Sequence, residues 1–202
     1  MASIDLKKVY RDLYSARAGK PALVEVPPLA YLMIDGAGDP NTSSEYVEAV
    51  GAIYPIAYAV RAAIKEATGD AYTVMPMQGL WWADDMDRFS PDRKGDWKWT
   101  MMIAVPDLAT RVLADTAIAE TTAKKGLAAG NRVRFELFDE GRSAQVMHIG
   151  PYSAEAPTIA MLHEYITDQG MSLRGLHHEI YLGDPRKTAP DKLKTIIRQP
   201  VV

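Results

Sequence analysis

Apolar residues along this chain change their spacing in an order that is met twice. The stretch 29–34 is almost unbroken apolar sequence ending near Gly36 and Gly38, which predicts a strand closed by a turn. Beyond it Tyr46, Val50, Ile53, Ala57, Val60, Ile64 and Ala67 follow at intervals of four and three, tracing one stripe down a helix that Gly69 stops. Thr42 and Glu45 stand at capping-box spacing and predict where that helix starts, and Pro55 predicts a kink within it. Strands at about 73–82 and 97–105 complete a strand–helix–strand–strand unit, with a polar, turn-rich loop between them that includes Asp84, Asp85 and Asp87.

A helix over 107–128, capped by Asp107 and ending near Gly126 and Gly130, leads to the second unit. There Val133, Phe135 and Leu137 alternate with Arg132, Arg134 and Glu136. A Glu140-Gly141 turn into the strand 144–149 then predicts a hairpin whose first strand is an extra element of the sheet. Ser153 predicts the N-cap of a helix with Ile159, Leu162 and Ile166 on one stripe, stopped at Gly170, and strands at about 176–182 and 193–199 follow. Ahead of both units, Leu6, Val9, Leu13 and Tyr14 stand at near-helical spacing before the breaker Gly19-Lys20-Pro21, which predicts a short N-terminal arm over 1–19.

Residue types repeat along with the spacings. GLWWAD at 79–84 matches EIYLGD at 179–184, and each is followed by a basic, proline-bearing loop and an apolar strand, WKWTMMIAVP or LKTIIRQP. Duplicated units tend to sit about a pseudo-two-fold axis, and the seam between them is a natural place for a ligand. Glu179 is a carboxylate that only one copy carries.

With 202 residues, 48% of them hydrophobic and 24% charged, the chain can bury a substantial core. A net charge of −3 lacks the basic footprint that a phosphate backbone requires, so direct nucleic-acid binding is not expected. The absence of cysteine excludes disulfides, thiol nucleophiles and cysteine-ligated metals. The first residues lack the apolar run of a signal peptide, and no run approaches the roughly 20 apolar residues of a membrane span, so the expected location is cytoplasmic with no membrane contact.

The stretches EGRSAQVMHIGPYSAEAPTIAMLHEYI (140–166), HHEIYLGDPRKTAPDKLKTIIRQPV (177–201), QGLWWAD (78–84) and DWKWTMMIAVP (96–106) together resemble the GyrI-like small-molecule-binding proteins. These are relatives of the effector domains of multidrug-responsive transcription regulators, and the likeness spans residues 20–202. The resemblance implies an α+β fold of two tandem strand–helix–strand–strand modules side by side, with a mainly antiparallel sheet. A ligand cleft between them would hold an acidic residue and aromatic walls. Module one would span about 20–106, the connecting helix about 107–130 and module two about 131–202. Some members of the family hydrolyse cyclopropane-containing genotoxins without a cofactor, and others bind drugs as sensors or inhibit DNA gyrase. The expectation is therefore a stand-alone small-molecule-binding protein for planar apolar or cationic xenobiotics, hydrolysing a strained cyclopropane ring. A non-catalytic drug sequestrant, sensor or gyrase-inhibitor-like module is the alternative. No helix-turn-helix or long coiled coil accompanies the domain, and a protein partner such as gyrase has no support in the sequence.

Alternation along a strand puts His177, Glu179 and Tyr181 on one face and His178, Ile180 and Leu182 on the other. A carboxylate among aromatic walls loses hydration, which raises its pKa and fits it to pair with a cation or to move a proton. Glu179 is thus the candidate general base or charge stabiliser, with Tyr152 or Tyr181 hydrogen-bonding a substrate carbonyl; the competing reading is a solvated or salt-bridged glutamate. Trp97, Trp99 and Met101 share a strand face, and Trp82 shares one with Leu80 and Gln78. The indoles of Trp82, Trp97 and Trp99, with Met101, are expected to line a slot for a planar ring, an aromatic core cluster being the alternative. Trp81 is expected to be structural, His148 to be hydrogen-bonded inside the sheet, and His163 to be structural or at the surface. His177 and His178 point to opposite faces and no metal-spaced cluster occurs, so no metal is expected. No GxGxxG, P-loop or nucleophile-elbow motif is present, and no cofactor is expected.

Overall fold

A computed structural model describes residues 3–86 and 89–202; Met1, Ala2, Asp87 and Arg88, and with them part of the predicted loop after Asp84, lie outside the described residues. The arm forms β1 (Ser3–Ile4), one helical turn α1 (Leu6–Val9) and a 3-10 turn. The first unit then runs β2 (Ala22–Val26), β3 (Leu29–Ala37), α2 (Ser44–Thr68), a short β4 (Ala71–Tyr72) paired with β1, β5 (Met77–Trp82) and β6 (Lys98–Val105). After α3 (Arg111–Lys125), the second unit runs β7 (Arg134–Phe138), β8 (Gly141–Ile149), α4 (Ala156–Asp168), β9 (His177–Tyr181) and β10 (Lys194–Pro200).

Helix ends differ from expectation by a residue or more. Ser43, rather than Thr42, caps α2 by accepting from the Tyr46 N–H, while Glu45 accepts from the Ala37 N–H and pairs with Arg132. Gly69 closes the helix at φ 79°, a left-handed conformation that a Cβ would strain. Thr110 caps α3, because residues after Pro106 first make a turn in which Ala109 N–H bonds the Pro106 carbonyl. Residues 152–154 form a 3-10 turn, which delays α4 to Ala156 and puts Glu155, not Ser153, at its N-cap position. Contrary to the reading that no segment is apolar enough, α2 with 25 residues could cross a membrane by length and composition. Its Ala49, Ile53, Ile56, Ala57, Val60 and Ile64 are instead buried in the core.

Eight strands form an open antiparallel sheet in the order β2-β8-β10-β9-β5-β6-β3-β7. The predicted hairpin does not form: β7 pairs with β3, while β8 pairs with β10 and β2. Each unit therefore gives its leading strand to the other. Phe138 and Gly141 are joined by at most ~11 Å of chain, yet β7 and β8 stand six positions apart in the sheet, about 29 Å if it were flat. The sheet must curl until its two ends approach, and the short link from Val26 to Leu29 demands the same.

The inward face carries Gln78, His178 and Arg198, which meet Glu140 in a network closed by the N-terminal arm. Arg198 donates to Glu140 Oε2 at 3.0 Å, to Gln145 and to the Leu13 carbonyl; His178 bridges Glu140 and Gln78; and Gln78 donates to Tyr14. On the outward face α2 packs against β3 and β6, and α4 against β8 and β10. The two central strands, β9 and β5, are left between the helices.

Candidate functional site

The site grows from the middle of those two strands. Gly79 on β5 lies directly opposite Glu179 on β9, its own counterpart in the repeat. A residue that pairs with its counterpart marks the pseudo-two-fold axis, and here one copy has a carboxylate where the other has no side chain. A Cβ on Gly79 would stand 2.6 Å from Met101 Cε, 2.7 Å from Trp81 Nε1 and 2.9 Å from the Tyr181 oxygen. The glycine is what lets Trp81 and Tyr181 close over the axis.

Tyr181 O–H donates to Glu179 Oε2 at 2.8 Å, His177 Nε2 donates to Oε1 at 3.0 Å, and Trp81 Nε1–H donates to the Tyr181 oxygen at 2.9 Å. Both oxygens of Glu179 thus accept a hydrogen bond. Burial, and after it the Glu179 charge, push the Tyr181 phenol well above its ordinary value, so it stays a donor. Tyr46, from the first turn of α2, stacks on Trp81 with ring centroids 6.3 Å apart, and Trp97 meets Trp81 edge-on at 5.6 Å. Across from them, Tyr152 stands edge-on to Tyr181 at 5.6 Å. Tyr152 is 39% exposed, so its side of the aromatic cluster reaches solvent.

A second carboxyl lies against Glu179. Glu155 makes no capping bond to α4, is 5% exposed, and has a buried Oε1 with no hydrogen-bond partner. Thr195 on β10, whose Oγ1 is likewise buried, adjoins the carboxyl. Burial, followed by the charge of Glu179, raises the Glu155 carboxyl to about 9, so the pair keeps one proton at neutral pH. Burial and then the Glu155 and Glu179 charges raise Tyr152 to about 12.

Of the residues singled out in the sequence, Glu179, Tyr181 and Tyr152 come together, and Trp97 joins them through Trp81. Trp82 does not: it is on the inward side of β5 with Leu80 and Gln78, beside an open hollow lined by Asp35, Lys98 and Arg132. Trp99 and Met101 are on the outward face but wholly buried, Trp99 packed on Gly36 and donating to the Gly38 carbonyl at 3.3 Å. Trp81, expected to be structural, is buried in the core and donates its N–H to the Tyr181 phenol that bonds Glu179. The physical reason is register: alternation assigns faces within one strand, whereas pairing of Trp81 with both Trp99 and His177 decides which face of β5 shares a side with Glu179. The sequence reading gave no site role to His177, Tyr46 or Glu155. His177 was visible by parity with Glu179; the other two reach the cleft from helix starts, which strand alternation does not describe. His148 is buried and bonds Thr158 and the Pro151 carbonyl. Among the described residues no group of three or more His, Asp or Glu side chains is placed to hold a metal ion.

A family model, the GyrI-like small molecule binding domain, matches residues 19–202. An uncharacterized conserved protein from Listeria innocua is 35% identical over 99% of this chain and 100% of its own, with a TM-score of 0.92. A hydrolase from Listeria innocua is 34% identical over 99% of this chain and 100% of its own, with a TM-score of 0.86. The C-terminal domain of EcmrR, 17% identical over 91% of this chain and 97% of its own, shares the fold at a TM-score of 0.58. No protein of curated function matches the sequence significantly.

Proposed function

The chain belongs to the GyrI-like small-molecule-binding family, and on that premise we propose that its cleft takes planar, largely apolar xenobiotics and hydrolyses one that carries a strained cyclopropane ring. The observation that carries this reading is Glu179, hydrogen-bonded by Tyr181 and His177 and walled by Tyr46, Trp81 and Tyr152, at the seam between the two units. The 34% identical hydrolase from Listeria innocua supports it.

In the hydrolytic step Glu179 takes a proton from water as the water oxygen bonds to a ring carbon. The strained carbon–carbon bond breaks, and its electron pair passes to a conjugated carbonyl oxygen, which then gains a proton. The product is the substrate plus one water. Tyr181 already gives its one proton to Glu179, so Tyr152 is the phenol that hydrogen-bonds the carbonyl as its charge grows. Ring strain supplies much of the driving force, and modest acid–base help suffices.

Mass spectrometry of a spirocyclopropyl cyclohexadienone incubated with the protein tests this. Addition of water at many turnovers per protein is expected, and Glu179→Gln, nearly equal in volume, should fold normally and lose about 100-fold or more of that rate. Stoichiometric, unchanged compound would make the protein a binder. Wild-type turnover by Glu179→Gln would remove the carboxylate from the mechanism.

A further inference from the structure

Glu179 as the base leaves unexplained why a second carboxyl is buried beside it with an oxygen that bonds nothing. A buried polar atom without a partner costs free energy, and such atoms in a cleft point to a ligand group that completes them. Glu155 is placed by the turn that also carries Tyr152, at the mouth of α4, with its carboxyl against Glu179. Two carboxylates in such contact cannot both ionise. The groups that face it are Glu179 and Tyr181 from β9, Thr195 from β10, Tyr152 from its own turn and, more distantly, Lys94 ahead of β6.

We infer that Glu155 is the acid of the site: its neutral carboxyl faces the ligand's carbonyl oxygen and protonates it, while Glu179 is the anion that receives the proton from water. The inference rests on the hydrolase reading for the transfer step, and the stored proton rests on the burial of Glu155, its unpartnered Oε1 and its contact with Glu179. The Glu155 O–H bond breaks as the carbonyl oxygen becomes a hydroxyl, and Glu179 has meanwhile become neutral. The proton then crosses from Glu179 to Glu155 through their contact, which restores both groups with no net uptake or release. A phenol raised to about 12 is a weak acid for this task, so Tyr152 orients the oxygen and Glu155 supplies the proton.

The two parts separate by experiment. Infrared difference spectra of the ligand-free protein, neutral against a pH above 9, should show a protonated carboxyl that Glu155→Gln abolishes. Glu179→Gln should shift its loss to lower pH, because the neighbouring charge is gone. With the spirocyclopropyl cyclohexadienone as probe, Glu155→Gln should lower kcat by about 100-fold or more at little change in KM, and should remove the alkaline fall of the wild-type profile. Glu155→Asp, which keeps the acid, should recover part of kcat, and melting curves confirm that each variant is folded. Absence of the neutral carboxyl in wild type would overturn the stored proton whatever the protein turns over. Wild-type kcat in Glu155→Gln would overturn the transfer. No turnover by wild type would remove the hydrolase reading and the transfer together, leaving the infrared result to decide the proton.

Discussion

Trp81 and Trp99 lie opposite each other on β5 and β6 and point the same way, yet they do different things. Trp99 is 0% exposed, with Tyr46 edge-on to its ring at 5.2 Å, and Gly36 has no Cβ so that the indole can lie on the β3 backbone. Trp81 spans the gap from Tyr46 to Tyr181 and aims its N–H at the phenol that holds Glu179. Trp99→Ala should therefore cost about 3–5 kcal/mol of folding free energy, as loss of a buried indole does. Trp81→Phe keeps a ring against Tyr46 but loses the N–H together with the second ring of a buried indole, so it should cost about 1–2 kcal/mol of folding free energy, less than Trp99→Ala, and weaken binding of the dienone by about 10-fold, or about 1.4 kcal/mol. Urea melts paired with titrations measure both. If Trp81→Phe binds as wild type does, the Trp81–Tyr181–Glu179 chain does not shape the cleft.

At the scale of elements, the site depends on how closely β5 and β9 pack at their shared axis. Alanine at Gly79 would push its Cβ against Met101 Cε, which can swing away, but also against Trp81 and Tyr181, which hydrogen bonding holds. Gly79→Ala should cost about 1–3 kcal/mol by overpacking and should reduce binding and turnover further than that loss explains, by displacing Tyr181 from Glu179. Turnover at full occupancy of folded protein, checked by circular dichroism, measures the second effect. Normal turnover would mean that the axis tolerates a side chain. The start of α4 matters similarly, since its 3-10 turn carries Tyr152 and Glu155 into the cleft together.

Over the whole molecule, two buried carboxyls pull stability in opposite directions with pH. Burial raises Glu140, but His178 and Arg198 outweigh it and hold the carboxyl at about 2, below its unfolded value. Its stabilisation is present above the unfolded value and is lost as pH falls toward 2. Glu155, raised to about 9, does the reverse: its contribution is intact below the unfolded value and is lost as pH rises toward 9. Glu140→Gln leaves Arg198 buried without its charge partner and should cost about 3–5 kcal/mol at neutral pH, with a flatter acid limb. Glu155→Gln should remove the alkaline decline. Urea midpoints across the pH range measure both, and an unchanged alkaline slope in Glu155→Gln would show that Glu155 does not hold the proton.

The order of elements was legible in the sequence because it depends on local periodicity: the stripe of α2, the alternation of β7 and the repeat of GLWWAD as EIYLGD are all contained in short windows. Glu179 was legible for the same reason, as the position where the two copies differ, with Tyr181 two residues on and Tyr152 in a loop after a strand. Pairing was not legible. The alternation at 132–137 marks a strand but not its neighbour, and only the curl of the sheet puts β7 beside β3 instead of β8. Register across strands, which no single strand records, set Trp81 rather than Trp82 on the face of Glu179 and buried Trp99 and Met101. Glu155 depends on tertiary structure most of all: in the sequence it is one acid in a helical stretch. Packing of α4 on β8 and β10 removes its water and sets it against Glu179, and both raise its carboxyl above the usual carboxylate range.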